Sequence, residues 1–200
     1  MRVSPHEYLA LDLRAHDLMR GVPLHDVSVV DLPGGGVGRT VGEVRAIISA
    51  ARPSRIVSAL MALRWAIGRV LRWDTVESST KDSFVSSIPE QVRVASEVAP
   101  GTQAGMFCAL YQFPREALSE IRNATVHAFL CIALVPTPSG YRFYWAVYVR
   151  PTSWITPWYL AAIEPFRRFL VYPAMLRRIR AAWVERYSEP GQREIGRAHV

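Results

Sequence analysis

The residues best suited to chemistry lie where a strand-like segment begins in the second half of the chain. His127 can exchange a proton near neutral pH, and Asn123, the chain's single asparagine, can both donate and accept hydrogen bonds. Their spacing places them together at the start of one predicted strand, on a face shared with aromatic residues. This pattern is typical of a ligand site or of a general base, and also of a turn asparagine followed by an exposed strand histidine.

Arginine supplies almost all of the positive charge, since Lys81 is the only lysine and the formal net charge is +7. Range 142–186 holds eight arginines against Glu164 and Glu185. Such a basic end attracts anionic membranes, nucleic acid or acidic ligands, although a solvated helix face is the ordinary explanation. We predict no nucleic-acid partner, and we keep peripheral membrane contact open through three arginines of the terminal helix: Arg177, Arg178 and Arg180.

Familiar catalytic and cofactor motifs are incomplete. The glycine-rich range 34–40 resembles a phosphate-binding loop, but Arg39 stands where a Walker A sequence needs lysine. Range 78–81 reads S-x-x-K, yet a second lysine for the partner K-T-G element is lacking. The histidines show no metal-ligand spacing. We therefore predict no cofactor and no metal, and we interpret Cys108 and Cys131 as buried free thiols.

Periodicity predicts the elements that would position these residues. Apolar spacing indicates helices over 6–20, 40–51 and 53–73, the second opened by a capping box of Thr40 and Glu43. A strand over 27–30 precedes the glycine loop, and a connection with one helical turn covers 75–105. Alternation then predicts three strands, at 105–113, 125–135 and 141–150.

A hairpin joins the last two strands through a turn at 138–140. That turn pairs Ile132 with Trp145 on an apolar face, and His127 with Arg150 on a mixed aromatic and polar face. A terminal helix starts near Thr156, and the prolines at 165 and 173 must kink or split it because neither can donate an N–H.

The chain shows no secretory pattern at its start, and no window of about 18 residues is free of charge. We therefore predict a cytoplasmic protein. The last seven residues, EIGRAHV (194–200), match the translation of a common sequencing adapter, and we interpret them as an artefact within a disordered tail over 188–200.

Four segments carry a family resemblance: RWAIGRVLRWD (64–74), EIRNATVH (120–127), GYRFYWAVYVRP (140–151) and AAIEPFRRFLVYPAMLRRIRAAW (161–183). They resemble the bacterial domain-of-unknown-function family 2867, which is similar to the START-like (SRPBCC, helix-grip) superfamily. The resemblance implies a single α+β domain over 1–187, in which an antiparallel sheet wraps around a long, proline-kinked C-terminal helix. It implies no activity.

The leading functional hypothesis is a hydrophobic, lipid- or polyketide-like small molecule bound in a cavity between sheet and terminal helix. The candidate lining residues are mostly aromatic or basic: Trp65, Asn123, His127, Tyr144, Tyr148, Arg150, Arg167 and Tyr172. The alternatives are a cyclase- or hydrolase-type enzyme that uses His127 as general base, and a membrane-surface protein that uses the arginine-rich helix.

Overall fold

Six antiparallel strands form one sheet in the computed structural model, which describes residues 3–50, 83–122, 126–152 and 156–187. Across the sheet the strand order is β1-β6-β5-β4-β3-β2. A long C-terminal helix packs against this sheet, so the predicted α+β class is confirmed. The strands are β1 (Leu24–Pro33), β2 (Gln103–Ala104), β3 (Phe107–Gln112), β4 (Glu116–Arg122), β5 (Val126–Thr137) and β6 (Gly140–Pro151).

Short helices precede the sheet and follow β1. The helix predicted over 6–20 is two helices, because Leu13 is extended and a new helix begins after it. Glu43 accepts a hydrogen bond from the Thr40 N–H at 2.9 Å, as the predicted capping box requires. The elements are α1 (Pro5–Leu9), α2 (Arg14–Leu18), α3 (Val41–Ala50), a 3₁₀ turn (Phe84–Ser87), α4 (Glu90–Ala95), α5 (Thr156–Phe166), a π-helical turn (Arg167–Val171) and α6 (Tyr172–Tyr187).

The predicted hairpin between β5 and β6 is confirmed with its register. Thr137 lies opposite Gly140, and His127 lies opposite Arg150. Gly140 has a φ of 144°, and a Cβ there would overlap the carbonyl oxygen of Leu32 at the end of β1. Glycine is therefore required where β1 passes the hairpin turn.

Strand β4 was missed by the pattern analysis, although it pairs with β5 over its whole length. Its sequence EALSEIR carries Glu116 and Glu120 at buried positions. Buried carboxylates break the apolar alternation that signals a strand. They are tolerated here because other segments donate hydrogen bonds to both of them.

The sheet buries both of its faces. On one, which we call the N-terminal face, Phe129 and Tyr148 pack with α1 and α2 in a core that includes Tyr8. On the other, the terminal-helix face, Phe143 packs with Trp183 of α6 and with α3. The predicted alternation is correct, and both the apolar face and the mixed face are covered by helices.

The terminal helical segment continues without a gap from Thr156 to Tyr187, and its hydrogen-bond pattern changes to a π-helical turn between the two prolines. Pro165 lies inside α5, and Pro173 follows the π-helical turn by two residues. The N–H of Tyr172 donates to the carbonyl of Arg167, five residues earlier rather than four. Because Pro173 offers no N–H, an ordinary α pattern cannot continue at this point.

Candidate functional site

A buried histidine–carboxylate pair lies on the N-terminal face of the sheet. His127 Nε2 lies 2.7 Å from an oxygen of Glu120, and the side chains are 6% and 4% exposed. Glu120 is on β4 opposite Phe129 of β5, so it is the diagonal neighbour of His127 on the same face. The strand register alone therefore brings the two groups together.

The 3₁₀ turn holds Glu120 in its ionised form. Ser83 Oγ donates to one carboxylate oxygen, and the N–H of Phe84 donates to the other at 3.1 Å. Burial opposes ionisation, but the hydrogen bonds from His127, Ser83 and Phe84 outweigh it and hold the pKa of Glu120 below its ordinary value. An ionised carboxylate only accepts, so His127 must donate from Nε2. The carboxylate thereby fixes the orientation of the imidazole.

Basic residues extend from His127 across three neighbouring strands. Arg122 of β4 lies directly opposite His127 of β5, which lies directly opposite Arg150 of β6. These three border an open cleft of about 440 Å³. The described residues that line it are Ser83, Phe84, Ser86, Ser87, Arg122, His127, Arg150 and Thr152.

Phe84 is the one apolar side chain among the described residues that line this cleft. Its ring packs edge-on against the buried Phe129 with centroids 5.2 Å apart, and the His127 ring lies 4.3 Å from that of Phe129. The guanidinium of Arg150 lies over Phe84 at 5.9 Å. The cleft thus combines one aromatic contact with a mainly polar and basic lining, which suits a molecule with an acidic end and an apolar part.

A second polar cluster lies on the terminal-helix face. Arg167 of the π-helical turn donates from Nε to the Tyr172 hydroxyl at 2.9 Å. Its other nitrogens lie 4.0 Å from Asp26 and 3.9 Å from Glu164, which is also 3.3 Å from His25. Arg167 therefore joins the π-helical turn to the edge strand β1.

Tyr144 and Tyr148 anchor the N-terminal helices to the sheet. The Tyr144 hydroxyl donates to Glu7 of α1 at 2.8 Å. The Tyr148 hydroxyl donates to Tyr8 at 3.3 Å and lies 3.2 Å from Nδ1 of His16. Burial raises the pKa of Tyr148 to about 12, so the hydroxyl stays protonated near neutral pH.

The candidate residues that the structure describes lie on both faces of the sheet. His127 and Arg150 line the same cleft on the N-terminal face, whereas the predicted cavity lies between the sheet and the terminal helix. Tyr144 and Tyr148 share their face and contact α1 and α2 instead. The physical reason is that successive strand residues alternate between faces, and the terminal helix covers the other set.

The remaining candidates divide into two groups. Arg167 and Tyr172 contact each other on the terminal-helix face. Trp65 and Asn123 lie outside the described residues, as do the predicted helix over 53–73 and the predicted tail over 188–200. Their predicted roles stay predictions.

Glu120, Arg122 and Ser83 were missed by the sequence analysis. A signal for two of them was present in EIRNATVH (120–127), because a tight connection at 123–125 between two strands would place Arg122 opposite His127. Ser83 had no such signal, since its contact with Glu120 spans 37 residues of chain.

Within the described ranges, no three His, Cys, Asp or Glu side chains converge as metal ligands would. Both cysteines are free, and Cys131 is buried as predicted whereas Cys108 is partly exposed. None of the helices in this part of the chain combines the length and apolarity needed to cross a bilayer.

The family model described as "Protein of unknown function (DUF2867)" matches residues 18–174. The matched range contains the strands, the His127 cleft and the π-helical turn, whereas α1 and most of α6 lie outside it. Neither a curated protein nor a solved structure matches the chain.

Proposed function

The chain belongs to this family of proteins of unknown function, and from the geometry of its cleft we propose that it binds an amphipathic small molecule. The ligand would have a lipid- or polyketide-like apolar part and an acidic head. The observation that carries the proposal is the basic row of Arg122, His127 and Arg150 across three adjacent strands. Kinship with the START-like superfamily stays a prediction, and this proposal does not depend on it.

The basic row is the reason for proposing an acidic ligand. Arg122 and Arg150 lie on either side of His127, whose carboxylate partner is Glu120. An acidic head at the mouth would have the charge that complements the two guanidiniums. Each guanidinium has five N–H donors, so Arg150 can bind a carboxylate while it stays over the Phe84 ring.

Phe84 is the reason for proposing an apolar part in the ligand. Phe84 is only partly buried and belongs to a short turn that also supplies Ser86 and Ser87 to the cleft. The cleft volume of about 440 Å³ lies within the range of roughly 300–1,000 Å³ usual for small-molecule sites. A single hydrocarbon chain or a fused-ring acid is of suitable size.

Calorimetric titration with dodecanoate, and with dodecan-1-ol as its neutral counterpart, tests the proposal. Dodecanoate should bind more tightly than the alcohol. Arg150→Gln should lower the affinity for dodecanoate about tenfold, because a charge-assisted hydrogen bond contributes about 1.5–3 kcal/mol. The affinity for the alcohol should stay unchanged. Arg115→Gln, at an exposed turn at the other end of β4, is the matched control. Equal affinities for acid and alcohol, or binding of neither, would reject the proposal.

A hydrolase-type enzyme is the second candidate function, and the oriented histidine favours it. A carboxylate that holds an imidazole by hydrogen bonding is the arrangement used in general-base catalysis. His127 is buried rather than fully solvated, which this mechanism requires. In the reaction, His127 would take a proton from water as the water oxygen attacks an ester carbonyl, giving an acid and an alcohol.

Hydrolysis of p-nitrophenyl octanoate checks this candidate. His127→Gln should lower the rate by at least about a hundredfold, the usual contribution of a general base, while Arg115→Gln leaves it unchanged. A wild-type rate no faster than buffer alone would eliminate the enzyme and leave the binding proposal intact.

A further inference from the structure

Three large apolar side chains are exposed together at the start of the π-helical turn. Phe166, Phe169 and Leu170 are 49%, 68% and 44% exposed, and their spacing of three and four residues places them on one side of the helix. Single exposed apolar residues are ordinary on protein surfaces, but a contiguous group marks an interaction site. We call these three residues the apolar patch.

Arg168 lies beside the apolar patch, and further exposed arginines follow along the same helical segment. Arg168 is exposed and its guanidinium lies 5.3 Å from the Phe169 ring centroid. Arg177 and Arg178 are exposed farther along the same helical segment. Between positions 166 and 184 the sequence contains five arginines and no acidic residue. The helical segment that follows the patch is therefore basic.

We propose that this surface binds anionic phospholipid membranes peripherally, with the apolar patch in the interface and the arginines at the headgroups. An amphipathic helical surface with aromatic residues on one side and arginines beside them is the usual composition for this role. Attraction to anionic lipid adds to the burial of the patch, so neither group has to act alone.

A second copy of the chain fits the surface less well. A two-fold symmetric contact places the same patch of each copy against the other, so it would bring the Arg168 guanidiniums of the two copies toward each other. Like charges opposed across an interface oppose association. An anionic lipid surface has the complementary charge, and it is the occupant that we infer.

The fold holds the patch outward through contacts on the inner side of the same turn. Arg167 is bonded to Tyr172 and lies near Asp26 of β1, while Tyr172 itself is buried. The residues between these anchors are thereby presented to solvent without rearrangement. The sequence analysis named Arg177, Arg178 and Arg180 for this contact. Arg180 is partly buried, and Arg168 is better placed.

Co-sedimentation of the full chain with vesicles tests the inference. The protein should bind vesicles of phosphatidylcholine mixed with phosphatidylglycerol, and binding should weaken as salt rises, because screening shortens the range of the arginine charges. Phe166→Ser/Phe169→Ser should lower the partition coefficient by about tenfold or more, since two buried aromatic side chains are lost. Val94→Ser, which changes an exposed apolar residue on α4, is the matched control.

Three results would overturn the inference: no binding to the mixed vesicles, binding unaffected by the double substitution, or equal binding to pure phosphatidylcholine. Sedimentation velocity adds a fourth, because a dimer that disappears in Phe166→Ser/Phe169→Ser would assign the patch to a second copy. Both side chains are exposed, so the variant should keep its thermal midpoint. The dodecanoate titration remains a separate test of the cleft.

Discussion

The His127 cleft and the Arg167 cluster contain the same residue types, but the arginines of the two regions differ in their surroundings and exposure. Each contains arginine, histidine and buried carboxylate. In the cluster, the Arg167 side chain is only 16% exposed and lies close to Tyr172, Asp26 and Glu164. In the cleft, Arg150 is exposed and borders open volume. The comparison shows that where the donors point, rather than which donors are present, separates a structural cluster from a candidate site.

Arg167→Met should give the largest effect, because it removes the hydrogen bond to the Tyr172 hydroxyl and the cation that lies 4.0 Å from the buried Asp26 carboxylate. We expect the free energy of unfolding in urea to fall by about 2–3 kcal/mol, with dodecanoate affinity unchanged. Arg168→Met, at the exposed neighbouring position, should not change stability. A loss of dodecanoate affinity in Arg167→Met would mean that the two regions are coupled.

Glu120→Gln should have an intermediate effect on stability, about 1–2 kcal/mol, through weaker hydrogen bonds to His127 and Ser83. It should also change the response to acid. Because the pKa of Glu120 is lowered in the folded protein, its contribution is present near neutral pH and is lost as pH falls through that depressed pKa.

Urea unfolding over a range of pH checks this prediction. Wild-type protein should lose more stability on acidification than Glu120→Gln does. Glu90→Gln, which replaces an exposed carboxylate paired with Arg93, is the matched control and should follow wild type. Identical acid slopes for Glu120→Gln and wild type would contradict the assignment of Glu120 as the carboxylate that the fold keeps ionised.

Tyr144→Phe should give the smallest effect and tests the boundary of the cleft. Tyr144 donates to Glu7, so removal of its hydroxyl should lower stability by about 0.5–1.5 kcal/mol. Dodecanoate affinity should stay at the wild-type value in calorimetry. If affinity falls instead, the cleft extends beneath α1, and Tyr144 returns to the set of ligand residues.

Sequence reasoning succeeded where the determinants were local. The β5–β6 register follows from the side-chain period of two and from the position of a single turn. The alternation in each of the two strands fits that same register. The change in helical hydrogen bonding just before Pro173 follows from a missing N–H. Strand β4 could not be recognised, because Glu116 and Glu120 point inward and their partners Arg14 and Ser83 lie far away in the chain.

Local pattern thus determined the α+β class, the hairpin and the change in hydrogen bonding within the terminal helix. Tertiary structure decided which face of the sheet each covering helix would occupy. Strand periodicity shows which residues share a face of the sheet, but it does not show which face the terminal helix covers. Once Leu176 and Trp183 of α6 bury against the face of Phe143, Arg167 becomes internal and His127 with Arg150 is left beside the cleft.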